Sequence, residues 1–214
     1  MHALYIPDGN KRFSRKKGMS LKEAYQKGGE NIARIIKWLN SEGVNEVSLF
    51  LFATHNLSRK EEEVLAIAEG AKYAADSYFI SDSELMKRRF EVIGTTSSGL
   101  VEKVRSPFLK IAQNGQPNSQ SRVNFLVGFS GEDEITQALQ SKPSSYKELS
   151  AQSMISPIDL VIRAGPIVRL SEAPILAIHP YTAFFGIPHL NPEVTEMDIR
   201  KIVKEYREHS QYRS

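Results

Sequence analysis

The chain contains no cysteine at all. That absence excludes a disulfide framework, thiolate catalysis, iron–sulfur clusters and cysteine-based zinc sites. Nor is there an apolar run approaching the roughly 20 residues a membrane span needs. The longest apolar stretches, such as Val47 to Ala53 with Ser48 inside, have the length of strands. The N-terminus shows no basic n-region before an apolar h-region, which predicts no secretory signal. An excess of charge is missing too. Lys+Arg total 28 against 25 for Asp+Glu, and the resulting +3 is too little to imply nucleic acid by itself. What remains is 214 residues, 41% hydrophobic and 25% charged, enough for one full-sized core. A soluble, cytoplasmic, globular chain is expected, with residues 1–214 forming a single domain and no internal repeat.

Strand-like and helix-like segments alternate along most of the length. Ala3 to Ile6 reads as a short buried strand that ends at the turn Pro7-Asp8-Gly9. Ser20 and Glu23 form a capping-box pattern before a helix from Leu21 to Ser41. Ile32, Ile35, Ile36 and Leu39 supply its apolar face. Glu46 to Ala53 is a second strand, apolar at nearly every position, as expected of one covered on both faces. Ser58 is the candidate cap of a long helix from about Lys60 towards Met86. Further strands are predicted at Arg89–Gly94, Val123–Phe129, Pro157–Arg163 and, more weakly patterned, Ala183–Ile187. Helices are predicted at Leu100–Ala112, Glu132–Leu139, Tyr146–Gln152 and Pro192–Tyr206. Repeated strand–helix units argue an α/β fold with a mainly parallel central sheet flanked by helices.

In such a sheet, ligands bind outside the carboxyl ends of the strands. Asp8-Gly9-Asn10, Thr54-His55-Asn56 and Arg163 follow three of these strands, with Arg59 and Arg169 close in sequence. Lys11, Arg12, Arg15, Lys16 and Lys17 crowd into seven positions after Asn10. Such a run is either a solvated helix face or a polyanion site. Aromatic residues interleave (Phe13, Tyr25), yet no RNA-recognition, zinc-finger or homeodomain signature accompanies them, so diphosphate is a better candidate than nucleic acid. An Asp among several arginines at one rim suggests a Mg²⁺-bound phosphate or diphosphate. No Walker A, G-x-G-x-x-G, H-E-x-x-H, G-x-S-x-G or kinase pattern is present. Plainer alternatives stand beside these readings. Asp8 could be a turn residue, and His55 a satisfied rim histidine. Trp38 could be core or dimer contact, and Tyr73, Tyr78 and Phe79 core packing. Glu61-Glu62-Glu63 suits the positive end of a helix dipole.

The residues His2 to Phe13, with Pro7-Asp8-Gly9-Asn10-Lys11-Arg12-Phe13 at their end, resemble the first motif of the cis-prenyltransferase (undecaprenyl diphosphate synthase) family. Phe52-Ala53-Thr54-His55-Asn56-Leu57-Ser58-Arg59 is similar to that family's F-S-x-E-N-W-x-R-P. Asp159 to Gly165 resembles D-L-x-I-R-T-G, and Arg169-Leu170-Ser171 resembles R-x-S. Gly128 to Ile135 falls where the family carries N-Y-G-G-R-x-E/D-I. The order and rough spacing hold from residue 2 to about 185.

That resemblance implies an α/β homodimer that condenses isoprenoid diphosphates with Mg²⁺ and releases pyrophosphate. Carried over by position, Asp8 is the metal-handling and catalytic aspartate, and Asn56 the asparagine of proton abstraction or positioning. Gly9, Asn10 and Arg12 match the residues that hold the allylic diphosphate, and Arg59, Arg163, Arg169 and Ser171 those of the second diphosphate site. Lys11, Phe13, Tyr25, Thr54, His55 and Leu170, in or near these motifs, are further candidate substrate contacts. Asp8→Ala is expected to abolish turnover and leave the fold intact.

The departures are informative. The family's G-H-K-A-G is Ala24-Tyr25-Gln26-Lys27-Gly28, its Glu in F-S-x-E-N-W is His55, and Ile167-Val168 stands where it has Glu-His. A glutamate that ligates metal in the family falls at Thr182 or Ala183. Pro7-Asp8-Gly9, Tyr25 and Ile167-Val168 resemble the cyclolavandulyl and lavandulyl diphosphate synthase branch, which joins two dimethylallyl diphosphates head-to-middle. The implied activity is therefore a prenyltransferase making a short cis or irregular product from dimethylallyl, isopentenyl, geranyl or farnesyl diphosphate. The alternatives are a terpene synthase or cyclase on the same fold and a non-catalytic partner subunit.

Overall fold

The computed structural model describes residues 1–167 and 169–210. Six strands form one sheet: β1 (His2–Ile6), β2 (Glu46–Ala53), β3 (Arg89–Ile93), β4 (Arg122–Phe129), β5 (Ile158–Ala164) and β6 (Ile178–Ile187). All pairs are parallel, in the order β3-β4-β2-β1-β5-β6. Among the described residues seven α-helices connect or flank them: α1 (Asn10–Lys17), α2 (Leu21–Ser41), α3 (Glu61–Ala74), α4 (Gly99–Asn114), α5 (Gly131–Leu139), α6 (Tyr146–Ser150) and α7 (Glu196–Ser210).

Alternation along each strand splits the core into two layers. Ala3 and Tyr5, Val47 and Leu49, Phe125 and Val127, Leu160 and Ile162 face one side. There they meet Ile32, Ile35, Ile36 and Leu39 of α2 and apolar residues of α3, α4 and α7. Leu4, Ile6, Phe50, Leu126 and Val161 face the other, smaller layer with Ile155, Ala173 and Ala177. Both faces are covered, which is why these strands read as nearly unbroken apolar runs.

The capping box at the head of α2 forms as the sequence predicts, with the Ser20 hydroxyl accepting from the Glu23 N–H and the Glu23 carboxylate accepting from the Ser20 N–H. The expected long helix from Lys60 to Met86 does not. α3 stops at Ala74, runs on as a π turn to Phe79, and a separate 3-10 turn covers Leu85–Lys87. Asp82 accepts from the N–H groups of Glu84 and Leu85 there, an Asx-type turn that competes with helix continuation. Ser58 does not cap α3; Lys60 precedes its first turn, and the Ser58 hydroxyl bonds His55 O instead. β6 begins at Ile178, five residues before the predicted start. The C-terminal helix is a 3-10 turn (Asn191–Glu193) followed by α7.

Parallel pairing collects the ends of β1, β2 and β5 at one rim. The register sets Ile6 opposite Arg163, so the turn that carries Asp8 rises beside that arginine.

Candidate active site

A cavity of about 390 Å³ opens at this rim, between the ends of β1, β2 and β5 and the start of α1. Asp8 lines it between two arginines. One carboxylate oxygen receives Arg163 Nη2 at 2.6 Å and the other Arg12 Nη2 at 3.0 Å. Burial alone would raise the pKa of Asp8, but the hydrogen bond and charge of Arg163, joined by Arg12, outweigh it and hold the carboxyl below its usual range. Gly9 follows with φ 105, a left-handed conformation that an L side chain resists, and a Cβ there would lie 2.7 Å from Leu190. Its cap has no side-chain acceptor, so the first-turn N–H groups of α1 stay open to an anion.

Arg163 is 3% exposed and makes three contacts. Beyond Asp8, its Nη1 donates to Arg169 O (2.8 Å) and to Ser171 Oγ (3.0 Å). Ser171 sits at φ 56, a strained conformation for a non-glycine residue. One buried guanidinium thus ties the Asp8 turn to the loop of Arg169 and Ser171. On the α2 and α3 side, Arg59 donates to the Tyr25 hydroxyl at 3.2 Å. Burial is the main influence raising the Tyr25 pKa, and Arg59 opposes it. Asn56 is buried and its Oδ1 accepts from Ala53 N at 3.2 Å.

Lys11, Arg12, Arg15, Arg59, Arg163 and Arg169 line the cavity against the carboxylates of Asp8 and Glu63. An excess of four positive charges suits a diphosphate. Directly beside it lies a small apolar recess of about 70 Å³ between α2, α3 and α4, sharing Pro7, Asn10, Tyr25, Leu51 and Ile67 with the larger cavity. A charged chamber joined to an apolar slot fits a phosphorylated hydrocarbon. Among the described residues no three His, Asp or Glu side chains converge into a metal cage. Mg²⁺, however, is commonly held by one or two carboxylates together with substrate phosphates and water. Asp8 facing a diphosphate-sized chamber fits that donor set.

Of the sequence-selected residues, Asp8, Gly9, Asn10, Lys11, Arg12, Tyr25, His55, Asn56, Arg59, Arg163, Arg169 and Ser171 share this cavity wall. Three do not. Phe13 is buried with Ala24 and Leu190, because helical spacing turns it to the α2 side of α1. Leu170 points outward between two residues that face in. Thr54 lies behind the wall and donates to Glu172 at 2.8 Å. Thr182 and Ala183 lie away from the cavity: Ala183 pairs with Leu160 three positions before the rim, and Thr182 Oγ1 donates to Ile158 O. Of the apolar pair Ile167-Val168, Ile167 is exposed and Val168 lies outside the described residues.

Sequence reasoning also missed three residues. Glu63, read as helix-dipole charge, pairs with Lys11 in the cavity wall. Glu172 bonds Thr54 and lies 2.9 Å from His55 Nδ1, latching the Ser171 loop to the end of β2. Asn191, far along the chain, hydrogen-bonds the Asp8 carbonyl through its backbone N–H. No local pattern announces such partners; only the strand register brings them together.

Comparison with known proteins points the same way. A sequence model of the undecaprenyl diphosphate synthase family matches residues 6–213. An isoprenyl transferase of Campylobacter jejuni is 27% identical over 212 residues, covering 96% of this chain and 94% of that protein. A dehydrodolichyl diphosphate synthase of Encephalitozoon cuniculi is 29% identical, covering 99% and 72%. In structure, lavandulyl diphosphate synthase from Lavandula x intermedia, solved with dimethylallyl diphosphate, superposes with a TM-score of 0.83 at 22% identity, covering 96% and 94% of the two chains.

Proposed function

The chain belongs to the undecaprenyl diphosphate synthase family and is a prenyltransferase, and on that premise we propose that it joins short isoprenoid diphosphates, with pyrophosphate as the leaving group. The observation that carries the short-chain reading is the 70 Å³ recess. Gly29 and Ala74, where α2 and α3 approach closely, stand in its wall with Phe79 and Phe108. That volume and lining suit a short hydrocarbon better than a polyprenyl chain.

In this reading the allylic diphosphate lies against the start of α1, with Asn10, Lys11 and Arg12 around it and its hydrocarbon in the recess. Breakage of the C1–O bond sends the electron pair onto pyrophosphate, and fixed cations facing that charge lower the barrier. The acceptor's double bond then attacks C1, and the coupled product gives up a proton to the released pyrophosphate. Mg²⁺, held by Asp8 with the diphosphate oxygens, would supply further charge neutralisation. Asn56 Oδ1 accepts from Ala53 N, which anchors the amide at the end of β2, and a neutral amide suits positioning better than proton abstraction.

The acceptor diphosphate falls to Arg59, Arg163, Arg169 and Ser171, without a carboxylate from Thr182 or Ala183. Such a site accepts an allylic diphosphate about as readily as isopentenyl diphosphate, which favours irregular coupling of two C5 units. A cytoplasmic homodimer belongs to the same proposal.

Product analysis tests it. The chain is incubated with dimethylallyl, geranyl or farnesyl diphosphate, each with and without isopentenyl diphosphate and Mg²⁺. A C10 product from dimethylallyl diphosphate alone, dependent on Mg²⁺, is expected. Long cis-polyprenyl diphosphates formed only with isopentenyl diphosphate would refute the reading.

A further inference from the structure

Asn191 does not line the cavity, yet it is fully buried and every polar group it carries is engaged. Its backbone N–H donates to Asp8 O at 2.9 Å, and its carbonyl accepts from Asn31 Nδ2 at 2.6 Å. Its side chain meets Gly28 O at 3.2 Å, the Asn10 side chain at 3.1 Å and the Tyr5 hydroxyl at 2.9 Å.

These contacts fix which way two amides point. A backbone carbonyl can only accept, so the Asn191 atom beside Gly28 O is Nδ2, and Oδ1 is left to accept from Tyr5. The same Nδ2 faces Asn10, so the Asn10 atom that meets it must be an oxygen. Asn10 Nδ2 is then turned the other way, towards Pro7 O at a long 3.4 Å and the cavity that Asn10 lines. Gly28 makes the arrangement possible. A Cβ there would lie 2.4 Å from Asn10 Oδ1 and 2.9 Å from Asn191 Nδ2.

We propose that Asn191 is a positioning residue: it holds the Asn10 side-chain amide with its N–H donors towards a bound diphosphate. This rests on the diphosphate reading of the cavity. Without Asn191 only the long 3.4 Å contact to Pro7 O would favour that orientation, and an acceptor facing phosphate oxygens is repelled. Asn191 adds the shorter contact, 3.1 Å to Asn10 Oδ1, and so fixes the orientation before the ligand arrives, which lowers the ordering cost of binding.

The test is a double-mutant cycle read as pyrophosphate affinity by calorimetry, with thermal unfolding followed in parallel. In Asn191→Asp the carboxylate only accepts, so Asn10 turns Nδ2 to it and shows Oδ1 to the ligand. Binding should weaken about tenfold. Asn191→Ala merely frees Asn10, and about threefold is expected. In the Asn10→Ala background both substitutions should leave affinity unchanged. Equal losses in both backgrounds would mean that Asn191 only scaffolds the fold, and would overturn the proposal. Should the Asn191 variants not fold, the wild-type chain still decides. Pyrophosphate must shift the Asn10 side-chain NH₂ resonances, identified by their disappearance in Asn10→Ala, and unmoved resonances overturn the assignment. If wild type binds no pyrophosphate at all, the diphosphate reading itself fails, a result distinct from binding that is insensitive to Asn191.

Discussion

Asp8 is both a carboxylate of the cavity wall and the counter-charge of a guanidinium that is almost wholly buried. This changes one expectation drawn from sequence. Asp8→Ala should lower turnover at least about a hundredfold, in the range set by loss of a transition-state electrostatic group, but it does not leave the fold untouched. It strips Arg163 of its charged partner. Breaking a buried pair costs several kcal/mol, and because Asp8 is 28% exposed the expected loss here is smaller, about 1–2 kcal/mol in denaturant unfolding. The pH dependence follows from the lowered Asp8 pKa. Its contribution is fully present above the unfolded carboxylate value of about 3.9 and is lost as pH falls through the lower folded value. The stability gap between wild type and Asp8→Asn should therefore stay constant from pH 8 to 5 and close on further acidification. A gap that widens in acid would show that the pair is not ionised as described. At the neighbouring position, Arg163→Lys keeps the charge but loses the fork that spans Asp8, Arg169 O and Ser171. Both the acceptor KM and kcat should worsen, by about tenfold or more in kcat/KM. Unchanged kinetics would remove Arg163 from the acceptor site.

At the scale of elements, the contact between α2 and α3 shapes the apolar recess. Gly29 meets Ala74, and Gly70 meets Tyr25, so closely that a Cβ at either glycine would lie 2.4 Å from its neighbour. Phe108 of α4 also lines the recess and packs against Phe125 of β4, ring centroids 4.8 Å apart with their planes tilted by 39°. Phe108→Ala should enlarge the slot, raise the rate with geranyl diphosphate relative to dimethylallyl diphosphate, and cost about 3–5 kcal/mol of stability. An unchanged substrate ratio in a folded variant would place the hydrocarbon elsewhere. Elements were legible where local chemistry decides them. The capping box fixed the start of α2, and the β-rich run from Glu46 to Ala53 gave β2 to the residue. The end of α3 was not legible, because helical periodicity persists into the segment that Asp82 pulls into a turn. The site behaved likewise. Asp8, Asn56, Arg163 and Arg169 stand in short motifs after strands, whereas Glu172 and Asn191 act only through partners distant in sequence. Phe13 was misplaced because it sits inside a motif whose neighbouring side chains face the opposite way.

The whole molecule is lopsided. One face of the sheet is covered by α2, α3, α4 and α7, while the smaller core on the other side is covered by Ile155, Ala173 and Ala177, with α5 and the five-residue α6 packed on the segment around Ile175. These thin covers touch one another, and Tyr146 also reaches Ile178 O at the start of β6. On and beside them Leu139, Tyr146, Met154, Ile175 and Tyr181 remain well exposed, and β6 is the edge of the sheet. Exposed apolar side chains beside an open sheet edge suit an interaction surface, and a two-fold contact uses the same surface on both copies. A second copy of the chain is the partner consistent with the proposed homodimer. Sedimentation should then give about twice the chain mass of 24.1 kDa. Tyr146→Glu with Ile175→Asp should halve it, since each places a charge in the contact while leaving the buried layers alone. A wild-type monomer at micromolar concentration would refute the dimer. A double variant that stays dimeric would move its interface to another face of the molecule.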